Sequence, residues 1–469
     1  MKLSFRDPDG FVFKRADRIF RCIYPHAASD LRTLLESPQC REWMAEGDLV
    51  RSEISSADSC REWSGQFLRG SLLVRHEPVR FPNYPHEWSP QMLHSAGELT
   101  LNLARQSLQS DFELKDATPH NVMFEGARPI FIDLLSFEKR RGMEGLWRPY
   151  AQFVRTFVYP LLASRMSGLR LDEIFLTHRD GLEPERMALM TPYWRWFTPS
   201  IFGLVTLPRL LSIGSRQDAP DQFRQRPCRD LEEARFLKQH ALKRAKRALS
   251  RAMGASRRDS PTAHYMEAGE SYRTEEFRAK ENFVTDTLKS YRPKRVLDAG
   301  SNTGHFSRLA AANGASVVAV DLDPVCAGLL WQSASESGAD ILPLVVNIAR
   351  PSPAIGWTNQ ETLSFLERAQ GNFDCVFMLA LLHHLVVTER VPLAELIGLA
   401  ARLTTDLLVV EYVDPADRQF GLLARGRESL HTDLNIAGFE AEARTRFNIL
   451  EYLDVSPTRR IYAMKRRQS

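Results

Sequence analysis

Between Lys294 and Asp323 the chain reads KRVLDAGSNTGHFSRLAAANGASVVAVDLD, and few folds accept that order of residues. An apolar run, VLDA, leads into a glycine-bearing loop. A helical stretch, FSRLAAANG, follows, and a second apolar run, VVAV, ends on Asp321. This order of strand, tight turn, helix and strand predicts half of a doubly wound α/β sheet, with a ligand crevice at the carboxyl ends of parallel strands. Gly300 and Gly304 permit a tight turn and close backbone approach where a helix begins, and the free N–H groups there favour a carboxylate. Asp321 ends its strand where a carboxylate can accept hydrogen bonds from two ribose hydroxyls. The spacing Gly300-x-x-x-Gly304 lacks the middle glycine of G-x-G-x-x-G, which weighs against a nicotinamide-binding fold.

Later runs extend the pattern. LPLVVNIARP supplies a third strand ending at Asn347-Ile348, FDCVFMLALLHHL a fourth with its exit, and LLVVEYV a fifth. RFNILEYLDV and TRRIYAMKR read as a closing hairpin. His383 and His384 stand at the carboxyl end of the fourth strand, beside the expected crevice, and are the best candidates for a general base. The plainer alternative is that one imidazole packs or shapes the start of a helix. The loop PSPAIGWTNQE brings Pro353, Gly356, Trp357 and Glu361 close together, as a lid, an acceptor wall or an ordinary surface loop.

Carried by these motifs, the chain from Thr285 onward resembles the class I methyltransferases. The resemblance covers roughly the last 180 residues, a usual size for one domain. It implies a Rossmann-like domain that binds S-adenosyl-L-methionine. Asp298, Gly300, Ser301, Asn302 and Gly304 would grip the methionine moiety, Asp321 the ribose, and Asn347 with Ile348 would lie near the adenine. Asn302 stands where many members carry glycine, a modest departure because asparagine tolerates the left-handed conformation. Methyl transfer from a sulfonium draws most of its rate from alignment of acceptor, methyl and sulfur. HYMEAGESYRTEEFRAKENFV precedes the domain as a segment that closes such sites, with Tyr265 and Tyr272 able to stack or simply pack.

Ahead of this domain, DGFVFKRADRIFRCI reads as a hairpin about a polar turn, SLLVRHEPVRF as a strand, and Trp88–Leu108 as a helix. VMF and PIFIDLLSF form a further strand pair. In LKDATPHNVMFEGARPIFIDLLSF, Asp116, Asn121 and Asp133 have a spacing that resembles the catalytic loop and metal-binding acid of protein kinases and related small-molecule kinases. Leu114 replaces the usual histidine, no glycine-rich phosphate loop is evident, and no strand lysine is assignable. Active phosphotransfer, an inactive kinase-like module and coincidence all stay open. Across the whole chain, the order of NYPHEW, LKDATPHN and FIDLLSFE before a methyltransferase domain resembles bacterial proteins related to host-specific nodulation methyltransferases. That resemblance implies a glycan or lipid-linked sugar acceptor.

The expected organisation is therefore a kinase-like α+β domain over residues 1–140, a helical extension over 141–223, a basic linker helix with a lid segment over 224–284, and the class I methyltransferase domain over 285–469. Trp147–Leu211 reads as a helical, well-buried extension. Within it FGLVTLPRLLSIG is either a buried helix interrupted by Pro208 or a weak membrane-surface contact. The Arg- and Lys-rich stretch from Arg224 to Arg258 reads as a solvated helix.

A net charge of +4 over 469 residues gives no footprint for nucleic acid. Six scattered cysteines match no zinc spacing and suit a reducing compartment, and no resident metal site is expected. MKLSFRDPDG carries charges where a signal peptide is apolar, and no apolar run reaches the roughly 18 residues of a spanning helix. A cytoplasmic, bacterial-type methyltransferase follows, acting on oxygen of a glycan or another small hydroxyl-bearing acceptor. The alternatives are a bifunctional or kinase-like phosphotransferase and a noncatalytic scaffold that binds the cofactor.

Overall fold

The computed structural model describes residues 4, 6–55, 69–140, 142–198, 201–207, 209–210, 228–254, 274–425 and 434–467. The chain forms two compact units. One comprises residues 1–86, 90–124 and 129–256, the other residues 87–89, 125–128 and 257–469.

In the first unit, β1 (Gly10–Arg15) and β2 (Arg18–Ile23) form the expected hairpin, turning at Ala16 with a left-handed φ of 49°. With β3 (Ser52–Ser55) and β4 (Leu72–His76) they make an antiparallel sheet ordered β1-β2-β4-β3. Phe11, Phe13, Phe20 and Cys22 pack together on one face with Leu73. Strand alternation sends Arg21 to the opposite face. Helices Pro25–Glu36 and Pro38–Glu46 connect β2 to β3. The helix Pro90–Ser107 lies where expected and buries Met92, Leu93, Ala96 and Leu103. Beyond it, β5 (Phe112–Leu114) pairs with β8 (Phe137–Lys139), and β6 (Val122–Glu125) pairs with β7 (Arg128–Phe131).

Two sequence expectations change here. The basic helix Leu231–Met253 is not a solvated linker. It buries Ala234, Leu242, Ala245 and Leu249 and packs along the helix Pro90–Ser107. Its apolar stripe is built mostly of alanines at three- and four-residue steps, which the flanking Arg and Lys residues disguise. Lys238 is buried within that stripe and ion-paired with Glu113. The extension after Trp147 is helical as expected, but its second half is not well buried. The short pieces Pro184–Met190 and Phe202–Thr206 each bury one side, whereas the turn Tyr193–Arg195 buries none of its residues, and Tyr193, Trp194 and Phe197 stay exposed. Pieces this short, broken at Pro192, cannot wrap their apolar residues around a common core. Pro208 and Leu211 lie outside the described residues.

The second unit is built on a seven-stranded sheet ordered β11-β10-β9-β12-β13-β15-β14. β9 (Arg295–Ala299), β10 (Ser316–Asp321), β11 (Ile341–Val345), β12 (Phe373–Met378) and β13 (Thr404–Val413) run parallel. The hairpin β14 (Phe447–Ser456) and β15 (Arg459–Arg466) closes one edge antiparallel to β13. This is the Rossmann-like α/β arrangement expected from the motifs. Val296, Val317, Ala319, Ile341, Phe377 and Val409 are fully buried, as parallel strands covered on both faces require. Strand order reverses between β9 and β12, which opens a crevice at the carboxyl ends of the strands.

Among the described residues, no helix is long and apolar enough to cross a membrane. Cys22, Cys40, Cys326 and Cys375 are buried, and Cys228 is half-buried. Cys60, Tyr265 and Tyr272 lie outside the described residues.

Candidate functional site

The loop after β9 is held by its own backbone. Gly300 and Ser301 donate N–H groups to Val320 O at 2.8 and 3.1 Å, and Gly304 N donates to Ser301 O at 2.8 Å. Gly300, Asn302 and Gly304 all have positive φ, at 75°, 50° and 81°. Asn302 thus takes the left-handed conformation expected of it, and its Oδ1 accepts from Thr303 N at 2.6 Å. A Cβ on Gly304 would lie 2.2 Å from Leu330 Cδ1, and one on Gly300 would lie 3.1 Å from Leu381 Cδ1. Beyond its left-handed φ, Gly304 is also packed close under helix Pro324–Ser337, a neighbour the sequence did not reveal.

Two carboxylates flank this loop. Asp298, almost fully buried near the end of β9, accepts from Ser307 Oγ at 2.5 Å. Burial pushes its carboxyl up to about 6, and the nearby Asp321 carboxylate acts in the same direction. Asp321 ends β10 and accepts from Asn302 N at 2.8 Å and from Asp323 N at 2.9 Å. Its pKa is raised by burial, an effect that these two amides only partly offset. Each carboxylate oxygen has lone pairs beyond the one an amide uses. A ligand presenting a cation to Asp298 and a vicinal diol to Asp321 fits this edge. Asn347 sits two residues past β11, where its Oδ1 accepts from Ala349 N at 2.9 Å, with Ile348 buried beside it. The sheet topology thus brings Asp298, Gly300, Ser301, Asn302, Gly304, Asp321, Asn347 and Ile348 to one edge.

His383 and His384 begin the short helix Leu382–Val387 after β12, at that same edge, with ring centroids 4.4 Å apart. His383 is 2% exposed, and neither ring nitrogen has a hydrogen-bond partner among the described residues. Desolvation, and then His384, pushes its pKa down to about 3, so the imidazole is neutral. His384 reaches the surface, and its pKa is lowered by desolvation and then by the Arg459 guanidinium.

Beneath them runs a charge network that the sequence reading missed. Glu411, fully buried on β13, pairs with Lys280 at 2.5 Å and lies 3.7 Å from Arg459, which also forks onto Asp417 at 2.8 and 3.0 Å. The available signal was a single acid inside the apolar run LLVVEYV. The loop after β11 turns at Trp357–Asn359 and leaves Trp357 exposed.

In the first unit, Asp116, Asn121 and Asp133 come together. Asn121 Nδ2 donates to Asp116 Oδ2 at 3.2 Å and to Ser136 Oγ at 2.8 Å, and Ser136 Oγ donates to Asp133 Oδ2 at 2.5 Å. Gln152 donates to the other oxygen of Asp116. The strand cation missing from the sequence reading is an arginine: Arg21 on β2 meets Asp133 Oδ1 at 2.5 Å. Burial opposes ionisation of Asp133, but Arg21, the Ser136 hydroxyl and the Leu135 N–H together outweigh it and hold the carboxyl below its ordinary value, whereas burial raises that of Asp116. A cavity of about 630 Å³ is lined by Arg18, Arg51, Ser52 and His76 among others. His76 is held neutral there, with a pKa of about 3 set by desolvation and then by Arg21.

Residues 270–448 match the model of a protein family described as a methyltransferase domain. The chain is 28% identical over 471 residues to the nodulation protein NoeA of Rhizobium meliloti (strain 1021), covering 99% of this chain and 95% of that protein. The magnesium protoporphyrin IX methyltransferase of Synechocystis PCC 6803, solved with SAH bound, is 19% identical, covering 43% of this chain and 87% of its own at a TM-score of 0.32. The bifunctional kinase-methyltransferase WbdD is 20% identical, covering 40% of this chain and 38% of its own at a TM-score of 0.27.

Proposed function

We propose that this chain, which carries a class I S-adenosylmethionine-dependent methyltransferase domain in its C-terminal unit, methylates oxygen on a small hydroxyl-bearing acceptor, a glycan being the first class to test. The observation that carries the oxygen assignment is His383, a buried neutral imidazole at the carboxyl edge of the sheet, neither of whose nitrogens is hydrogen-bonded among the described residues. The donor supplies an electrophilic methyl group on a sulfonium. In this reading Asp298 and the segment Gly300–Gly304 receive its amino-acid end, Asp321 its ribose, and Asn347 with Ile348 border its adenine. His383 accepts the hydrogen of the acceptor hydroxyl and orients the oxygen, with His384 as the second candidate. The activity belongs to the cytoplasm, on small molecules and not on nucleic acid.

The deciding experiment supplies methyl-labelled donor with a panel of glycans and simple alcohols. Label recovered as a methyl ether supports the reading. Tight donor binding with no transfer to any acceptor favours the cofactor-binding scaffold.

Asp298 gives the donor site a pH signature. Its raised pKa stabilises the ligand-free unit below the ordinary 3.8, and that contribution is lost as pH rises through about 6. A bound cation reverses the preference by favouring the carboxylate. Donor affinity should therefore climb with pH up to about 6 and then level, being roughly tenfold weaker at pH 5 than at pH 7. Calorimetry at both values checks this, and Asp298→Asn should flatten the profile.

A second reading rests on the convergence of Asp116, Asn121 and Asp133. An acid near an acceptor hydroxyl, with an Asn and an acid for magnesium, is the residue set that phosphotransfer uses. Arg21 already occupies one oxygen of Asp133, so a metal would have to displace it. Magnesium-dependent nucleotide binding that disappears in Asp133→Ala would support a bifunctional enzyme; no binding would leave a kinase-like fold without its chemistry.

A further inference from the structure

We propose that the exposed face carried by Leu189, Tyr193, Trp194, Phe197, Leu207 and Leu210 is a docking surface for an anionic lipid bilayer. Tyr193 and Leu189 are each 74% exposed, Phe197 is 79% and Trp194 64%, with Leu207 and Leu210 also exposed. Such large side chains are seldom left in water together without a partner surface. The backing of this face is ordered. Met187, Ala188, Ile201 and Val205 are buried, Trp196 Nε1 donates to Thr191 O at 3.0 Å, Thr206 Oγ1 to Trp196 O at 2.9 Å, and Tyr159 OH to Leu204 O at 2.5 Å. The helix Pro184–Met190 and the turn Phe202–Thr206 pack against each other, so their remaining apolar side chains are held outward on a fixed base.

Charge selects the occupant. From Arg186 to Leu210 the sequence has three arginines, Arg186, Arg195 and Arg209, and no Asp or Glu. Arg186 and Arg195 are exposed, and Arg209 lies over the Trp196 ring at 4.7 Å. The nearest preceding acids are Glu183 and Glu185, of which Glu183 is paired with Arg155. Tryptophan and tyrosine beside arginine, exposed between two short amphipathic helical pieces, suit the headgroup boundary of a bilayer, where aromatic rings enter the acyl edge and guanidinium groups meet phosphates. A second protein copy meeting this face across a twofold would bring together two patches that carry arginine and no acid, which disfavours self-association through this face.

The test uses the full chain and unilamellar vesicles of phosphatidylcholine alone or with about 30% phosphatidylglycerol. Co-sedimentation with the anionic vesicles, little with the neutral ones, and release at high salt are expected. Trp194→Ser with Phe197→Ser should weaken partitioning at least about tenfold, since two exposed aromatic anchors are lost. Arg195→Glu, which leaves the apolar residues in place, should weaken it only on anionic vesicles. Unchanged far-ultraviolet circular dichroism keeps misfolding from imitating these losses. Failure to sediment with either vesicle, equal binding to both, or binding that survives the double substitution overturns the proposal. So does a dimer in solution that the double substitution dissolves, because the face would then be taken by a second copy.

Discussion

Glu411→Leu should lower the stability of the C-terminal unit by about 3–5 kcal/mol, because breaking a buried ion pair takes a close counter-charge from an ammonium in the interior. Lys280 and Glu411 are almost completely buried, and Lys280 Nζ lies 2.5 Å from Glu411 Oε2. Removing the carboxylate leaves the ammonium in a site that also presses it to within 5.0 Å of the Phe306 ring centroid. The ring offers some compensation, on the order of 1–2 kcal/mol at most. Arg459 keeps its fork on Asp417, so the damage centres on Lys280. Adding Lys280→Met should restore most of the loss, since a desolvated pair is often no better than the apolar residues that replace it. Thermal unfolding followed by a probe in the C-terminal unit reads this as a shift of about 2–4 °C per kcal/mol. Equal destabilisation in the single and double variants would show that Glu411 acts through shape and not through charge.

His383→Ala should reduce turnover by on the order of a hundredfold to ten-thousandfold while donor affinity barely changes. The imidazole lies beyond β12, whereas the carboxylates proposed for the donor, Asp298 and Asp321, lie on β9 and β10. With its pKa held at about 3, His383 stays neutral over the working range and should leave no inflection near 6.5 in the rate profile. When it takes a proton, the Glu411 and Asp417 carboxylates favour the resulting cation. The Glu411 substitution should therefore slow turnover even in the fraction that remains folded. Wild-type turnover of His383→Ala on an authentic acceptor would exclude the imidazole, and the same loss confined to His384→Ala would move the role one residue along.

The loop between β9 and the following helix, to which the donor is assigned by proposal, was legible because its residues are fixed by local backbone rules. A loop that turns through Gly300, Asn302 and Gly304 needs residues tolerant of positive φ, and these are visible in one short stretch. Strand ends are similarly readable from continuous apolar runs, and β9 through β13 appeared in order. The network of Lys280, Glu411, Arg459 and Asp417 was not legible, because its members come from separate elements and only folding makes them neighbours. Arg21 escaped for a related reason: it was sought as a lysine, and its partner lies on another strand connection. The helix Leu231–Met253 was misread because alanine signals burial weakly, and the exposed aromatic residues because richness in Trp and Phe usually means core.

Asp321 holds Asn302 N with one oxygen and Asp323 N with the other, while Asp323 caps the helix Pro324–Ser337 through Val325 N at 2.8 Å. Loop, strand end and helix start are thus knotted before any ligand arrives. The conformational entropy of shaping this part of the pocket was surrendered during folding, and donor capture does not have to surrender it again. Association should then be limited by encounter and orientation instead of by loop ordering, and the left-handed turn serves as a mould rather than a latch.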